Sequence, residues 1–382
     1  MIANGFEGAS AGEVKQIGDY HFEVGVRGEA DQDGRNRQAT WYYFRLEGAA
    51  DREVTIDLVN LAGEYNYKPN RGAIDDRTPP VFSYDRKAWE HLTSVDYDGR
   101  IPRLRLRLRP ERSPVWIAHV APYTTEDLGR LLREVSGHPH LKREVIGKSA
   151  GGRDLLLLTV TDPAAAGEKK VVWLMARQHS WESGTSWVAE GALRYLLSGK
   201  AAQIRRTTVF RMFPMADPDG VVRGGVRFNT NGYDLNRNWD AVDPAKMPEI
   251  AAQRQAVLDW VDGGGRVDLF LTLHNTETAE YLEGPPAGGH AVLMERFFRI
   301  LRETTTLHPT RPAWHAAVST TPDRKGRMTV NQGLYHDRKI PAFLMEQMIA
   351  HNQKLGRYPT VGDRLAFGAE LVQAMAKAVE SE

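Results

Sequence analysis

Val171-Val172-Trp173-Leu174-Met175-Ala176 is a continuous apolar run, and His179-Ser180-Trp181-Glu182 follows it with only Arg177 and Gln178 between. A run without polar alternation predicts a strand buried on both faces, as in the core of an α/β sheet. The stretch from Trp187 to Leu197 then predicts a helix. A His and a Glu three apart at a strand-to-helix turn can aim an imidazole nitrogen and a carboxylate at one point, two ligands of a metal site. In open α/β sheets, sites lie beyond the carboxyl ends of the strands. His274 stands directly after Leu269-Phe270-Leu271-Thr272-Leu273, a second run of this kind, and is the best third ligand. Glu346 follows Ala342-Phe343-Leu344-Met345 in the same way. A carboxylate ending a buried strand is costly unless paired or functional. The bare H-x-x-E pattern is weak, and a surface His near a Glu is its bland reading. The matching strand ends are what favour a metal.

Working outward, Thr207 to Met215 predicts a further buried strand. Thr124-Thr125-Glu126-Asp127 reads as a helix start, with an acidic first turn after a capping Thr. The last helix is expected from Val361 to Val379, with Thr360 as its cap. Residues 123–382 are therefore expected to form an α/β domain, a mixed sheet with helices on both faces. Residues 1–122 read differently. Val54, Ile56 and Leu58 alternate with Thr55 and Asp57, and Leu104, Leu106 and Leu108 alternate with Arg103, Arg105, Arg107 and Arg109. Period-2 alternation puts the leucines on a buried face and the arginines in water. The arginine stripe could instead face nucleic acid. With Trp41-Tyr42-Tyr43-Phe44 and Val115 to Val120 as further strands, an antiparallel β-sandwich is expected here.

Composition narrows the functions available. The 382 residues carry 50 Lys+Arg against 49 Asp+Glu, a net charge of +1, so no global basic excess points to nucleic acid or an anionic membrane. There is no Cys, which excludes disulfides, thiolate metal sites, iron–sulfur clusters and a cysteine nucleophile. The first residues, MIANGFEGASAGEV, show no signal-peptide pattern, and no run approaches a transmembrane length. A soluble, cytoplasmic protein is expected.

Two loops carry polar chemistry. Asp217-Pro218-Asp219-Gly220 is a turn, and Arg227 and Asp234-Leu235-Asn236-Arg237-Asn238-Trp239 follow. Arginines and an amide near a metal suit a carboxylate, which a guanidinium binds bidentately. A solvated Arg- and Asn-rich loop is the alternative.

Taken in order, His179-x-x-Glu182, Asp-Pro-Asp-Gly, Asp-Leu-Asn-Arg-Asn-Trp, His274 and Glu346 resemble the zinc carboxypeptidases of the M14 class. Trp41-Tyr42-Tyr43-Phe44-Arg45, Val59-Asn60-Leu61 and Ala118-His119-Val120-Ala121-Pro122-Tyr123-Thr124 resemble the β-sandwich that precedes the catalytic domain in the cytosolic carboxypeptidase (deglutamylase-like) subfamily. The resemblance implies one Zn²⁺ per chain on His179, Glu182 and His274, with Glu346 as general base. It implies that Arg227 steadies the oxyanion, that Asn236 and Arg237 hold the substrate's C-terminal carboxylate, and that Arg153 lines an outer subsite. Peptide or protein C-terminal tails would be the substrates. Two departures stand out: Asp217 replaces the usual Asn of the turn, and Leu-Met-Glu-Gln-Met replaces a small-residue ending around Glu346.

Asp323-Arg324-Lys325-Gly326-Arg327-Met328 lies where this family shapes its side-chain pocket, and Arg327 is the residue expected to favour a C-terminal Glu or Asp. A solvated basic turn is the alternative there. A zinc amidohydrolase of N-acyl amino acids and a catalytically silent binding module are the competing functions. The sequence does not specify the natural substrate or the oligomeric state.

Overall fold

The computed structural model describes residues 1–65, 68–285, 290–316 and 325–380. Asp323 and Arg324 of the basic turn lie outside the described residues.

The N-terminal part is a sandwich of two five-stranded sheets. The first runs Ile2–Ala3, Tyr43–Leu46, Val115–Ala118, Val81–Ser83, Glu90–His91, and the second Val95–Asp98, Arg103–Leu108, Val54–Val59, His21–Gly25, Val14–Gly18. Neighbours are antiparallel except His21–Gly25 and Val54–Val59, which run parallel. Phe22, Val24, Phe44, Ile56, Leu58, Leu104, Leu106 and Ile117 fill the space between the sheets, as the alternation requires. Arg107 and Arg109 are exposed, but Arg105 departs from the expected solvated stripe. Its register partner on the next strand is Asp57. Asp57 is 3% exposed and receives the Arg105 guanidinium at 2.7 and 2.9 Å and His21 Nε2 at 2.9 Å. A buried carboxylate needs such partners.

The C-terminal part is built on an eight-stranded mixed sheet in the order Leu141–Lys148, Asp154–Val160, Thr208–Phe213, Lys170–Met175, Leu269–Thr276, Ala342–Met348, Tyr281–Gly284, Trp314–His315. The Thr208, Lys170, Leu269 and Ala342 strands at its centre are mutually parallel. Both faces are covered, which is why these strands read as unbroken apolar runs. Val172, Leu174, Leu271 and Phe343 pack under helices Thr125–Glu134, Ser183–Leu197, Ala291–Thr304 and Val361–Val379. Trp173, Met175, Phe270 and Ala342 pack under helices Pro248–Asp262 and Val330–Arg338.

Helix ends follow their local chemistry. Thr124 accepts from Asp127 N–H while the Asp127 carboxylate accepts from Thr124 N–H, and Thr360 and Asp363 repeat the arrangement. The helices Ser183–Leu197 and Val361–Val379 touch backbone to backbone. A Cβ on Gly191 would lie 2.0 Å from Leu365 O, and one on Gly368 2.1 Å from Val188 O, so only glycine fits at either place. Among the described residues, no helix is long and apolar enough to cross a membrane.

The two parts share an aromatic cluster. Trp41, Tyr43, Trp89 and Ala118 of the sandwich pack with Trp181, Val226 and Ile349. Trp181 immediately precedes Glu182, so the sandwich braces the turn that carries the H-x-x-E pair.

Candidate active site

The Lys170–Met175 strand ends, the chain turns through Arg177 in a left-handed conformation (φ 63°), and helix Ser183–Leu197 begins directly after Glu182. His179 and Glu182 sit in this turn, each 2% exposed. His274 lies on the neighbouring Leu269–Thr276 strand and is fully buried. The three residues offer ligand atoms that all lie within 4.8 Å of one another. Glu182 Oε1 lies 2.7 Å from His179 Nδ1, and Oε2 lies 3.0 Å from His274 Nδ1.

The second pair is close without hydrogen-bond alignment. Among the described residues, both Glu182 Oε2 and His274 Nδ1 are buried polar atoms with no hydrogen-bond partner. Two Nδ1 atoms and a carboxylate that converge in this way fit a metal ion, and an N/O donor set without thiolate fits a catalytic zinc. The opposite nitrogens support it. His179 Nε2 meets Asp234 Oδ1 at 3.1 Å. His274 Nε2 meets Gln178 Oε1 at 3.1 Å and Thr272 Oγ1 at 3.2 Å. The Gln178 amide is itself oriented, because its Nε2 donates to Leu235 O at 2.8 Å. Such outer partners fix the orientation of metal-binding imidazoles. Burial opposes ionisation of Glu182, but the imidazoles of His179 and His274 outweigh it and hold the carboxyl below its ordinary range.

Glu346 stands beside this set. It pairs in register with His274 across the two parallel strands and with Tyr281 on its other side. Its Oε2 is buried without a partner among the described residues. Burial, joined by the nearby charge of Glu182, pushes its carboxyl well above the usual range, against the pull of Arg227. Glu182, Glu346, Arg227, Tyr281, Glu277 and Tyr65 line a cavity of about 290 Å³.

Asp234 joins the metal set to Arg227 and Asn236. Besides His179, it accepts from Arg227 Nε at 2.7 Å and from Asn236 N–H at 2.8 Å. Burial works against its charge, yet Arg227 and His179 hold its pKa well below the carboxylate norm. Arg227 also lines a second cavity of about 210 Å³, together with Arg237, Lys325, Gly326, Arg327, Tyr65 and Gln38. Tyr65, Gln38 and Arg227 belong to both cavities.

The remaining expected site residues divide. Arg237 and Arg327 reach the second cavity. Asn236 turns inward, 4% exposed, and its Oδ1 accepts from Val330 N–H at 3.0 Å. Arg153 pairs with Asp219 at 2.6 Å and is not among the residues lining either cavity. Asp217 caps helix Pro218–Arg223, accepting from Gly220 N–H at 2.9 Å.

Asp234, though quoted with its motif, carried no expected role, and Gln178, Glu29 and Tyr65 were not singled out. Glu29, from the sandwich, accepts three successive N–H groups, those of Val226, Arg227 and Phe228, at 3.0, 2.6 and 2.8 Å. Its partners lie almost 200 residues away, so no local pattern could have marked it.

Residues 130–283 match the zinc carboxypeptidase family, and residues 2–120 match the cytosolic carboxypeptidase N-terminal domain. The chain is 29% identical over 286 residues to an uncharacterized protein of Zymomonas mobilis, covering 74% of this chain and 69% of that one. It is 30% identical over 273 residues to mouse cytosolic carboxypeptidase 2, covering 65% of this chain and 31% of the mouse protein. The chain thus spans about a third of the mouse protein's length. A metallo-carboxypeptidase from Burkholderia cenocepacia shares the fold with a TM-score of 0.84 at 24% identity, over 99% of this chain and 98% of that one. By these matches the chain carries a region of the M14 zinc carboxypeptidase type preceded by one of the cytosolic carboxypeptidase N-terminal type.

Proposed function

We propose that the protein is a zinc-dependent metallocarboxypeptidase that removes the C-terminal residue of peptides or proteins, with a preference for C-terminal Glu or Asp. The observation that carries this reading is the placement of Glu346, register partner of His274, in a cavity bordered by Arg227 that adjoins the one holding Arg237.

His179, Glu182 and His274 would hold the ion. Zinc bound there supplies a Lewis acid and a water of lowered pKa. Glu346 then accepts the proton of the attacking water and returns it to the leaving amine. Arg227 faces the charge that develops on the scissile carbonyl oxygen, held in place by Asp234. Arg237 receives the terminal carboxylate. Asn236 would help to place Arg237, because its carbonyl oxygen accepts from Arg237 Nη1 at 2.8 Å while its side chain is anchored on Val330 N–H. The cations Lys325 and Arg327 in the same cavity support the acidic preference, since a C-terminal Glu or Asp side chain would find its countercharge there.

Metal analysis tests the reading. The purified protein should bind one zinc, His274→Ala should bind none, and a chelator should abolish peptide cleavage until Zn²⁺ is restored. Full cleavage by metal-free protein would refute it.

A further inference from the structure

Both cavities of the candidate active site are lined by a residue that the catalytic domain does not supply. Tyr65 belongs to the N-terminal part, in a two-stranded sheet beside the sandwich. It ends the short strand Gly63–Tyr65, which pairs antiparallel with Lys68–Asn70. Tyr65 is 39% exposed and lines the walls of both cavities. The ring lies 5.7 Å from the Arg227 guanidinium carbon, within cation–π range. Its hydroxyl makes no hydrogen bond among the described residues.

The base of this hairpin is fixed. Glu64 N–H donates to Arg37 O at 2.9 Å, and the Glu64 carboxylate pairs with Arg35 at 2.7 Å. The Arg37 guanidinium donates to Val26 O at 2.7 Å and to Asn60 O at 3.2 Å. At Gly63 the chains approach so closely that a Cβ would lie 2.0 Å from Arg37 O. The other half of the contact is fixed too, because Glu29 of the same N-terminal part holds the backbone of Val226, Arg227 and Phe228. The N-terminal part therefore grips Arg227 by its main chain and covers its guanidinium with a phenol.

The place is decisive for a substrate. A C-terminal residue that sets its carboxylate on Arg237 and its scissile carbonyl near Arg227 must pass the junction of the two cavities, and Tyr65 stands at that junction. We propose that Tyr65 is a substrate-binding residue contributed by the N-terminal part, its hydroxyl donating to an oxygen of the C-terminal residue beside Arg227 and its ring closing the site. The N-terminal part then belongs to the active site and is not a separate module. This rests on the carboxypeptidase reading above.

The test uses the zinc-loaded full chain, an N-acetylated peptide ending in Glu, and the variants Tyr65→Phe and Tyr65→Ala. Loss of one hydroxyl donor should lower kcat/KM about 5- to 10-fold, and loss of the ring as well about 50-fold or more. Zinc content and thermal midpoint should stay those of the unmodified protein. A purely structural tyrosine would move the midpoint and leave the Phe variant active. Turnover by both variants within twofold of the unmodified protein overturns the proposal.

A second readout separates its failure from that of the carboxypeptidase reading. If the unmodified protein releases no residue, that reading falls, and binding of N-acetylglutamate is compared by calorimetry. Affinity weakened 5- to 10-fold in Tyr65→Phe supports the assignment. Equal affinity, or no binding to any of the three proteins, overturns it.

Discussion

His274 and Glu346 are register partners on adjacent parallel strands, Leu269–Thr276 and Ala342–Met348. Paired residues of neighbouring strands present their side chains to the same face of the sheet. A metal-binding imidazole and a carboxylate are thus placed side by side by the sheet itself. Sites built on strands hold their geometry better than sites on loops, which would suit the base proposed above, since it must meet water at a fixed distance from a metal.

Glu346→Gln keeps this shape and removes the proton acceptor. Zinc content and fold should be retained, and kcat should fall by at least about 10²-fold, the scale of a lost general base. Steady-state kinetics with parallel metal analysis checks this, and near-normal turnover with zinc loaded would exclude Glu346 as the base.

That His179, Glu182, His274 and Glu346 come together was legible in the sequence, because each follows an apolar run that a buried strand explains. Their exact settings were less so. His274 and Glu346 lie within their strands, which continue to Thr276 and Met348, and not past the ends. Arg105 looked like a solvated residue because its partner Asp57 is 48 positions away. Asp234, Gln178, Glu29 and Tyr65 matter through contacts between distant segments, and periodicity carries no record of those. Asn236 looked equivalent to Arg237, but only the fold shows that its amide oxygen is spent on Val330.

Asp234→Asn probes the link between the metal and Arg227. The amide loses the charge that both His179 and Arg227 lean on. Zinc affinity should weaken about 10- to 100-fold, as for other outer partners of metal-binding imidazoles. Competition with a chromogenic chelator measures it. Unchanged affinity would show that Asp234 does not steady the ligand set.

Asp217 bears on stability. Burial pushes its carboxyl from the ordinary 3.8 up to about 7. The folded state therefore keeps a proton between about pH 4 and 7 that the unfolded state has released, so this group lowers stability as pH rises through that window. Asp217→Asn can still accept from Gly220 N–H and never ionises. It should match the unmodified protein near pH 4 and be more stable at pH 8, by on the order of 4 kcal/mol. Thermal melts at the two pH values decide it, and a variant less stable at pH 8 would contradict the assignment.

The proposed acidic preference draws on Lys325 and Arg327, which line the cavity with Arg237. Peptides ending in Glu should be cut faster than those ending in Leu or Lys, and the gap should narrow as salt screens the attraction. Arg327→Ala should shrink the preference by about 1.5–3 kcal/mol in kcat/KM, the range for a hydrogen bond to a charged group. A clear preference of the unmodified protein for apolar or basic termini would rule out the acidic pocket.

The central claim is exopeptidase action on a free C-terminus. The most direct measurement incubates the zinc-loaded protein with one peptide in two forms, free acid and C-terminal amide, and follows both by mass spectrometry. Loss of a single C-terminal residue from the free acid, with the amide untouched, is the predicted result. Arg237→Ala should raise KM strongly for the free acid, because the carboxylate loses its bidentate partner. Equal cleavage of both forms, or no cleavage of the free acid, would contradict the account.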